Sequence, residues 1–404
     1  MSVAFIFPGQ GSQTPGMGLD WADPDDGSQD LYGWASSCLG WDLVETLRSA
    51  SADQLRQTYI AQPAIFSTSV AALRALERAG VRPDYVAGHS LGEFTALVAA
   101  GVLSFEAALA LVARRADAMQ RAADANPGSM SSVLGLSREG VEMAVDKAAQ
   151  DDVLAVANDN APGNVVVSGQ WPALERLPAA AKELGAKRVI PLNVGGAFHS
   201  PLMAPAAEEF RTHLASAPLT DASVPVLANA TAEPVTSAAI LRDLLARQLT
   251  GPVRWVESVR KLVDLGVDTF VEVGPGTVLS GLVRRSADGV RIFNAADQAG
   301  VAAVAETLRE QSEFATPDEE QGEVVVLDER YAVSPGHGRF YPASPLRTTD
   351  QGPYVEPGDL LGEVRNGASR IQVRSNFRGW IQAHLAWEGE LVTPGQLLLS
   401  LRPF

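Results

Sequence analysis

The chain has 404 residues, 46% of them hydrophobic and 20% charged, and a net charge of −16 at pH 7. That length holds two or three domains with cores of their own, and the acidic balance argues against nucleic acid as the main partner. One cysteine, Cys38, excludes an internal disulfide, no Cys/His cluster has metal-ligand spacing, and no apolar run approaches the roughly 18 residues that cross a bilayer, so the expected setting is reducing and cytoplasmic.

Residues 3–7, Val-Ala-Phe-Ile-Phe, have the pattern of a short buried strand and end in the turn Pro8-Gly9-Gln10-Gly11-Ser12-Gln13. The start carries no basic leader and reads as a first strand, not a signal peptide. In an α/β sheet, a glycine-rich turn at the carboxyl end of a strand lies where ligands bind, with backbone N–H groups free to face an oxyanion. Residues 20–30 are acidic and loop-like. Residues 63–78 read as a buried helix, with Ile65, Val70, Leu73 and Leu76 at helical spacing.

A β-favouring stretch, Asp84-Tyr85-Val86-Ala87, then runs into Gly88-His89-Ser90-Leu91-Gly92-Glu93, and a helix-forming run follows to Ala100. Strand, tight turn and helix around Gly-x-Ser-x-Gly expose the serine Oγ beside the N–H of the next residue at a helix N-terminus, where negative charge is favoured. Residues 105–123 form the next expected helix. Arg114 and Arg115 sit inside it; an arginine pair there is ordinarily a solvated face, or one of the two faces the cleft.

Residues 128–192 change character. Strand patterns at 129–136, 153–157, 165–168 and 187–192 alternate with helical ones at 139–149 and 172–184, the β-α-β-β-α-β order of a ferredoxin-like module. The stretch 158–163, Asn-Asp-Asn-Ala-Pro-Gly, reads as the turn between its middle strands. The module looks inserted, because an α/β pattern resumes beyond it through Gly195-Gly196-Ala197-Phe198-His199-Ser200. Of the five histidines, His89 is the neighbour of Ser90 on a strained turn, His213 lies in a polar helix, and His337 and His384 are distant. His199 remains as a base for Ser90, on a glycine-rich loop at a domain junction. Further on come helices, a strand at 269–273, the turn Gly274-Pro275-Gly276, which lacks nucleotide-binding spacing, and a last strand at 290–293.

Taken in order, Phe7-Pro8-Gly9-Gln10-Gly11-Ser12-Gln13, Gly88-His89-Ser90-Leu91-Gly92-Glu93, Ala197-Phe198-His199-Ser200, Gln248-Leu249-x-x-Pro252-Val253-Arg254-Trp255 and Glu272-Val273-Gly274-Pro275-Gly276 resemble the malonyl-CoA:acyl carrier protein transacylases and the acyltransferase domains of polyketide synthases. The resemblance covers about residues 1–310. It implies an α/β-hydrolase-like large subdomain (1–127 and 193–310) with the ferredoxin-like insertion (128–192), and an active site between them. It also implies Ser90 as nucleophile, His199 as base, the backbone N–H groups of Gln10 and Leu91 as oxyanion hole, and the backbone carbonyl of Gln248 as the group that orients the histidine. Arg115, not Arg114, aligns with the arginine that holds the malonyl carboxylate. Phe198 follows the malonyl-selecting pattern, whereas Gly196 departs from the usual histidine of the signature.

The implied partners are malonyl-CoA and an acyl carrier protein, in fatty acid or polyketide synthesis. Lys187, Arg188, Arg284 and Arg285 are the expected docking contacts for an acidic carrier. A hydrolase editing acyl-carrier thioesters would use the same Ser90 and His199, and a scaffold dominated by its C-terminal module is a third alternative.

Residues 311–323 are acidic and unpatterned, a linker. From 324 to 404 the chain reads as all-β, punctuated by Pro357-Gly358, Asn366-Gly367, Arg378-Gly379, Glu388-Gly389 and Pro394-Gly395. Ser334-Pro335-x-x-Gly338-x-Phe340-Tyr341, Val355-x-Pro357-Gly358-Asp359 and Gly395-Gln396-Leu397-Leu398 resemble the biotinyl/lipoyl carrier domains, flattened barrels with the cofactor lysine on a hairpin tip. Ala368 falls at that tip, and no lysine follows Lys261, so no amide-linked biotin or lipoate is expected and no other covalent cofactor is implied. The expected role of this module is docking to a carrier protein, synthase or carboxylase component, or else that of a stabilising appendage.

Overall fold

A computed structural model describes residues 2–22, 29–314, 331–344, 347–349, 352–367, 369–375, 378–394 and 396–403. They separate into two units, Met1–Leu308 and Arg309–Phe404. The first unit holds β1 (Val3–Phe7), β2 (Tyr85–Gly88), β3 (Gly128–Leu134), β4 (Leu154–Ala161) and β5 (Asn164–Gln170). It continues with β6 (Arg188–Pro191), β7 (Val226–Leu227), β8 (Pro234–Val235), β9 (Thr269–Val273) and β10 (Arg291–Ala295).

A six-stranded sheet has the order β10-β9-β1-β2-β7-β8, parallel except for β8 at its edge. Helices cover both faces of such a sheet, so its strands read as continuous apolar runs. Along β1, Phe5 and Phe7 join Val86 and Val271 in one hydrophobic cluster, while Ala4 and Ile6 join Ala87 and Phe270 in another. The sheet thus brings the carboxyl ends of β1 and β2, with the Gln10 turn and the serine turn, side by side.

The inserted strands β3–β6 form a second, antiparallel sheet of order β4-β5-β3-β6. The helices Arg138–Ala149 and Trp171–Glu183 pack on one face, against Val133, Val165 and Val167. Met130 and Val166 point the other way, into the main core of the unit. Here one expectation fails: Asn158, Asp159 and Asn160 lie in β4, and the turn shrinks to Pro162-Gly163. The polar triplet stays extended because β4 is irregular at 156/158 and 159/161 and exchanges bonds with Val253: Asp159 N–H to its carbonyl and its N–H to Ala157.

Helix Gln298–Phe314 closes the α/β pattern and corrects a second boundary, since its last four residues fall in the expected linker 311–323. Val301, Val304, Ala305 and Leu308 bury one stripe, and a helix nucleated on such a stripe propagates cooperatively, here through residue 314. Residues 315–323 lie outside the described residues.

The second unit contains β11 (Tyr331–Val333), β12 (Gly338–Pro342), β13 (Arg347–Thr349), β14 (Gly352–Val355), β15 (Leu360–Asn366), β16 (Ser369–Arg374), β17 (Gly379–His384), β18 (Leu391–Val392) and β19 (Leu397–Pro403). They make two antiparallel sheets, β11-β19-β17-β14-β13 and β16-β15-β12-β18, around Phe340, Val364, Val373, Leu398 and Leu401. Ala368, expected at a modification tip, lies outside the described residues.

Candidate active site

The turn after β2 is built by two close approaches. A Cβ on Gly88 would lie 1.9 Å from the Gly92 carbonyl carbon, and one on Gly92 would lie 2.0 Å from the Phe7 carbonyl oxygen. With both positions bare, β2 turns directly into helix Gly92–Ala99 and Ser90 takes a φ of 51°. A non-glycine residue in this region carries about 1–3 kcal/mol of strain. Asn229 holds it there, accepting the Ser90 N–H at 2.7 Å and donating to the Gly88 carbonyl at 2.6 Å.

Ser90 Oγ lies 2.7 Å from His199 Nε2, and His199 Nδ1 lies 2.9 Å from the Gln248 carbonyl oxygen. A carbonyl only accepts, so Nδ1 carries the proton and Nε2 offers its lone pair to the serine hydroxyl. Burial, and then the Arg115 guanidinium, push the imidazole pKa down to about 3. His199 is therefore neutral throughout the physiological range.

Arg115 is fully buried, whereas Arg114, one residue and about 100° further round the same helix, is exposed. Its Nη1 donates to Gln62 Oε1 at 2.8 Å. Its Nη2 reaches both Ser90 Oγ (3.1 Å) and Gln248 Oε1 (2.9 Å). Among the described residues, Nε alone of its nitrogens has no partner. Burial lowers the Arg115 pKa to about 10, which leaves it charged at neutral pH. The neighbouring acid is Glu93, buried beneath the turn, which accepts from Gln248 Nε2 and from the Asn229 N–H. Burial raises that carboxyl to about 7.

Ser90, His199, Arg115, Gln10, Leu91 and Phe198 all line one cavity of about 130 Å³. Its far wall, Met130, Asn160 and Val166, comes from the inserted sheet. Neither the Gln10 nor the Leu91 N–H donates to any described residue. His89 lines the same cavity and bridges to the insertion, with Nε2 2.8 Å from Asn160 Oδ1. Among the described residues no group of His, Cys, Asp or Glu could hold a metal, and no helix is long and apolar enough to cross a membrane.

The model of one family, the acyl transferase domain, matches residues 4–324. The chain belongs to the acyl transferase domain family. Among curated relatives, the acyltransferase is 41% identical over 314 residues to the malonyl CoA-acyl carrier protein transacylase of Bacillus subtilis (strain 168), covering 78% of this chain and 99% of that one. It is 41% identical over 286 residues to the Escherichia coli (strain K12) protein of the same name, covering 70% and 93%. Two solved structures superimpose with a TM-score of 0.74 each. One is the transacylase of Coxiella burnetii, at 35% identity over 76% of this chain and 98% of that one. The other is a malonyl-transacylase in complex with a type II polyketide synthase acyl-carrier protein, at 37% identity over 76% and 100%. The family match ends at residue 324, before β11.

The acyltransferase site contains four polar residues that sequence reasoning left without a role: Gln62, Glu93, Asn160 and Asn229. Only Glu93 stood inside a quoted motif. The others converge from a buried helix, an expected turn and the segment after β7, with no spacing to mark them. Gln248, expected to act through its carbonyl alone, also uses its side chain to join Arg115, Glu93 and the Ser90 carbonyl. At Gly196 a Cβ would lie 2.6 Å from that of Ala123, so the histidine of the usual signature has no room there as the loop stands. Lys187, Arg188, Arg284 and Arg285 are all exposed. Lys187 flanks Gly135, whose N–H is bonded to the Gly163 carbonyl, and Arg285 donates to the Pro162 carbonyl at 3.3 Å, so both stand near the β4–β5 turn.

Proposed function

We propose that this chain is a malonyltransferase that moves malonyl from coenzyme A to the phosphopantetheine thiol of an acyl carrier protein through a malonyl ester on Ser90. The observation that carries the reading is the buried Arg115 guanidinium, 3.1 Å from the oxygen that takes the acyl group. A fixed positive charge at that distance serves an acyl group that ends in a carboxylate and does nothing for a neutral one. The names of the relatives, malonyl CoA-acyl carrier protein transacylases, support it, as does the carrier complex of a structural neighbour.

In this mechanism His199 Nε2 takes the Ser90 proton as Oγ attacks the thioester carbonyl. The oxyanion is met by the Gln10 and Leu91 N–H groups. Collapse breaks the carbon–sulfur bond, His199 returns the proton to the departing thiol, and the ester remains on Ser90. The carrier thiol then gives its proton to His199 and attacks in reverse. Arg115 Nη2, and Nε, which lacks an acceptor, pair with the malonyl carboxylate. Phe198 closes the apolar side of the cavity. We assign the Gln248 carbonyl to hold the imidazole, in place of the acid of a Ser-His-Asp triad.

Lys187, Arg188, Arg284 and Arg285 are read as carrier contacts, supported by their exposure and by the grouping of Lys187 and Arg285 about one turn. We read 128–192 as a ferredoxin-like subdomain, on its strand order, inserted into an α/β-hydrolase-like one. Residues 324–404 are read as a biotinyl/lipoyl-like module without an attachment lysine.

Intact-mass measurement after mixing with acyl-CoAs tests the function. Malonyl adds to the native chain and to nothing in Ser90→Ala. Arg115→Ala loses malonyl loading at least 100-fold and keeps or gains acetyl loading. Undiminished malonyl selectivity in Arg115→Ala would refute the carboxylate assignment, and release of free malonate faster than transfer to a carrier would favour the hydrolase.

A further inference from the structure

The outer face of the sheet β16-β15-β12-β18 carries one arginine on each of three adjacent strands, in register. Arg370 stands opposite Arg365, and Arg365 opposite Arg339; the fourth residue of the row, on β18, is Leu391. All four are exposed, whereas the strand neighbours Phe340, Val364 and Val392 point into the core of the unit. Like charges directly opposite on adjacent strands destabilise a sheet. Compensation is uneven: Arg365 pairs with Glu363 and stacks over the Tyr341 ring at 4.4 Å, Arg339 donates to the Gly389 carbonyl at 2.7 Å, and Arg370 has no ion pair among the described residues.

The row ends against exposed apolar groups. Trp387 is 77% and Leu391 58% exposed, and the turn that holds Trp387 is bonded to β12 through Phe340 N–H to the Glu390 carbonyl and Gly389 N–H to the Phe340 carbonyl. Solubility does not explain this combination, because exposed Trp and Leu work against it. Arginine and tryptophan are the residue types that carry most binding energy at interfaces. The charge contrast is marked as well: residues 331–404 contain seven Arg, no Lys and six Asp or Glu, a net of +1, which leaves −17 on residues 1–330.

We propose that this face docks an acidic protein, the acyl carrier protein of the malonyl transfer; the identity of the partner rests on that reading of the function. Apart from the local contacts at Lys187, Arg188, Arg284 and Arg285, the net charge of residues 1–330 repels an acidic partner at long range, and the arginine row draws it in. The phosphodiester of the carrier's phosphopantetheine arm supplies a further acceptor for guanidinium forks. Capture on the same chain that carries Ser90 raises the effective concentration of the thiol.

The test titrates full-length Ser90→Ala with fluorescently labelled holo carrier protein, by anisotropy, at low and high salt. Arg339→Glu/Arg365→Glu/Arg370→Glu weakens binding at least tenfold and flattens its salt dependence. The corresponding triple Ala variant, which removes the repulsion and so does not burden folding, weakens it in the same direction. Trp387→Ser weakens it severalfold at both salt concentrations. Unchanged affinity and salt slope in both triple variants overturn the proposal. Loss of self-association by sedimentation, with carrier affinity intact, also overturns it and assigns the face to a second copy of this chain. Because Ser90→Ala does not react, docking is read independently of loading: absence of a malonyl adduct on the native chain would sink the function and leave this measurement standing.

Discussion

At the scale of single residues, the site is a network of buried polar groups that fix one another's orientation. The Gln248 amide is the clearest case. Its Nε2 faces the Glu93 carboxylate and the Ser90 carbonyl, so its Oε1 must face Arg115 Nη2, and its backbone oxygen fixes the His199 tautomer. Removing such a side chain leaves buried polar groups unpaired, at about 1–3 kcal/mol each. The same burial that fixes the imidazole also sets its charge. With a pKa of about 3, His199 remains a base well below the pH at which an exposed histidine protonates. Loading of malonyl onto Ser90 at pH 5.5 is therefore expected to stay within about threefold of its rate at pH 7.5 on account of this group. Single-turnover rates by quench and mass spectrometry check this; because Glu93 titrates near 7, a limb falling through pH 6.5 that persists in Glu93→Gln would show that the imidazole is not desolvated.

At the scale of elements, the serine turn depends on how closely β1, β2 and helix Gly92–Ala99 approach. The Phe7 carbonyl lies where a Cβ on Gly92 would be, so Gly92→Ala must push the helix off β1. Overpacking of this kind costs about 1–3 kcal/mol. The expected outcome is a lowered urea midpoint, with Ser90 loading reduced far more than stability, since the shift displaces Leu91 N–H and Oγ from His199 together. A Gly92→Ala variant that loads malonyl at the native rate would show that the turn tolerates the displacement. Arg114 and Arg115 make the related point for a helix. Adjacent residues on a helix diverge by about 100°, so a pair split between solvent and cavity is what the geometry provides. Periodicity alone does not tell which one is buried.

At the scale of the whole molecule, two buried groups of the site oppose each other in the pH dependence of stability. Glu93 has its pKa raised from 4.5 to about 7, so the folded state holds the proton longer and stability falls as pH rises from 4.5 to 7. His199 has its pKa lowered from 6.5 to about 3, so the unfolded state binds the extra proton and stability falls as pH drops from 6.5 towards 3. Relative to the native chain, Glu93→Gln is expected to give a slope more positive by about 1.4 kcal/mol per pH unit between pH 4.5 and 7. His199→Gln gives one more negative by about the same amount between pH 3 and 6.5. Urea denaturation across that range measures both; parallel curves for all three proteins would exclude the buried charge states. Much of this molecule was legible in the chain alone. The buried-strand run at 3–7, the Gly-x-Ser-x-Gly turn and the elimination that left His199 are local or compositional signals, set by sterics and side-chain chemistry within a few residues. Gln62, Asn160 and Asn229 were not legible, and neither were the second role of Gln248 nor the facing arginines of β12, β15 and β16. Each of these depends on segments far apart in sequence meeting at atomic distance, and a polar side chain becomes a partner only when packing removes water and leaves it one place to bond.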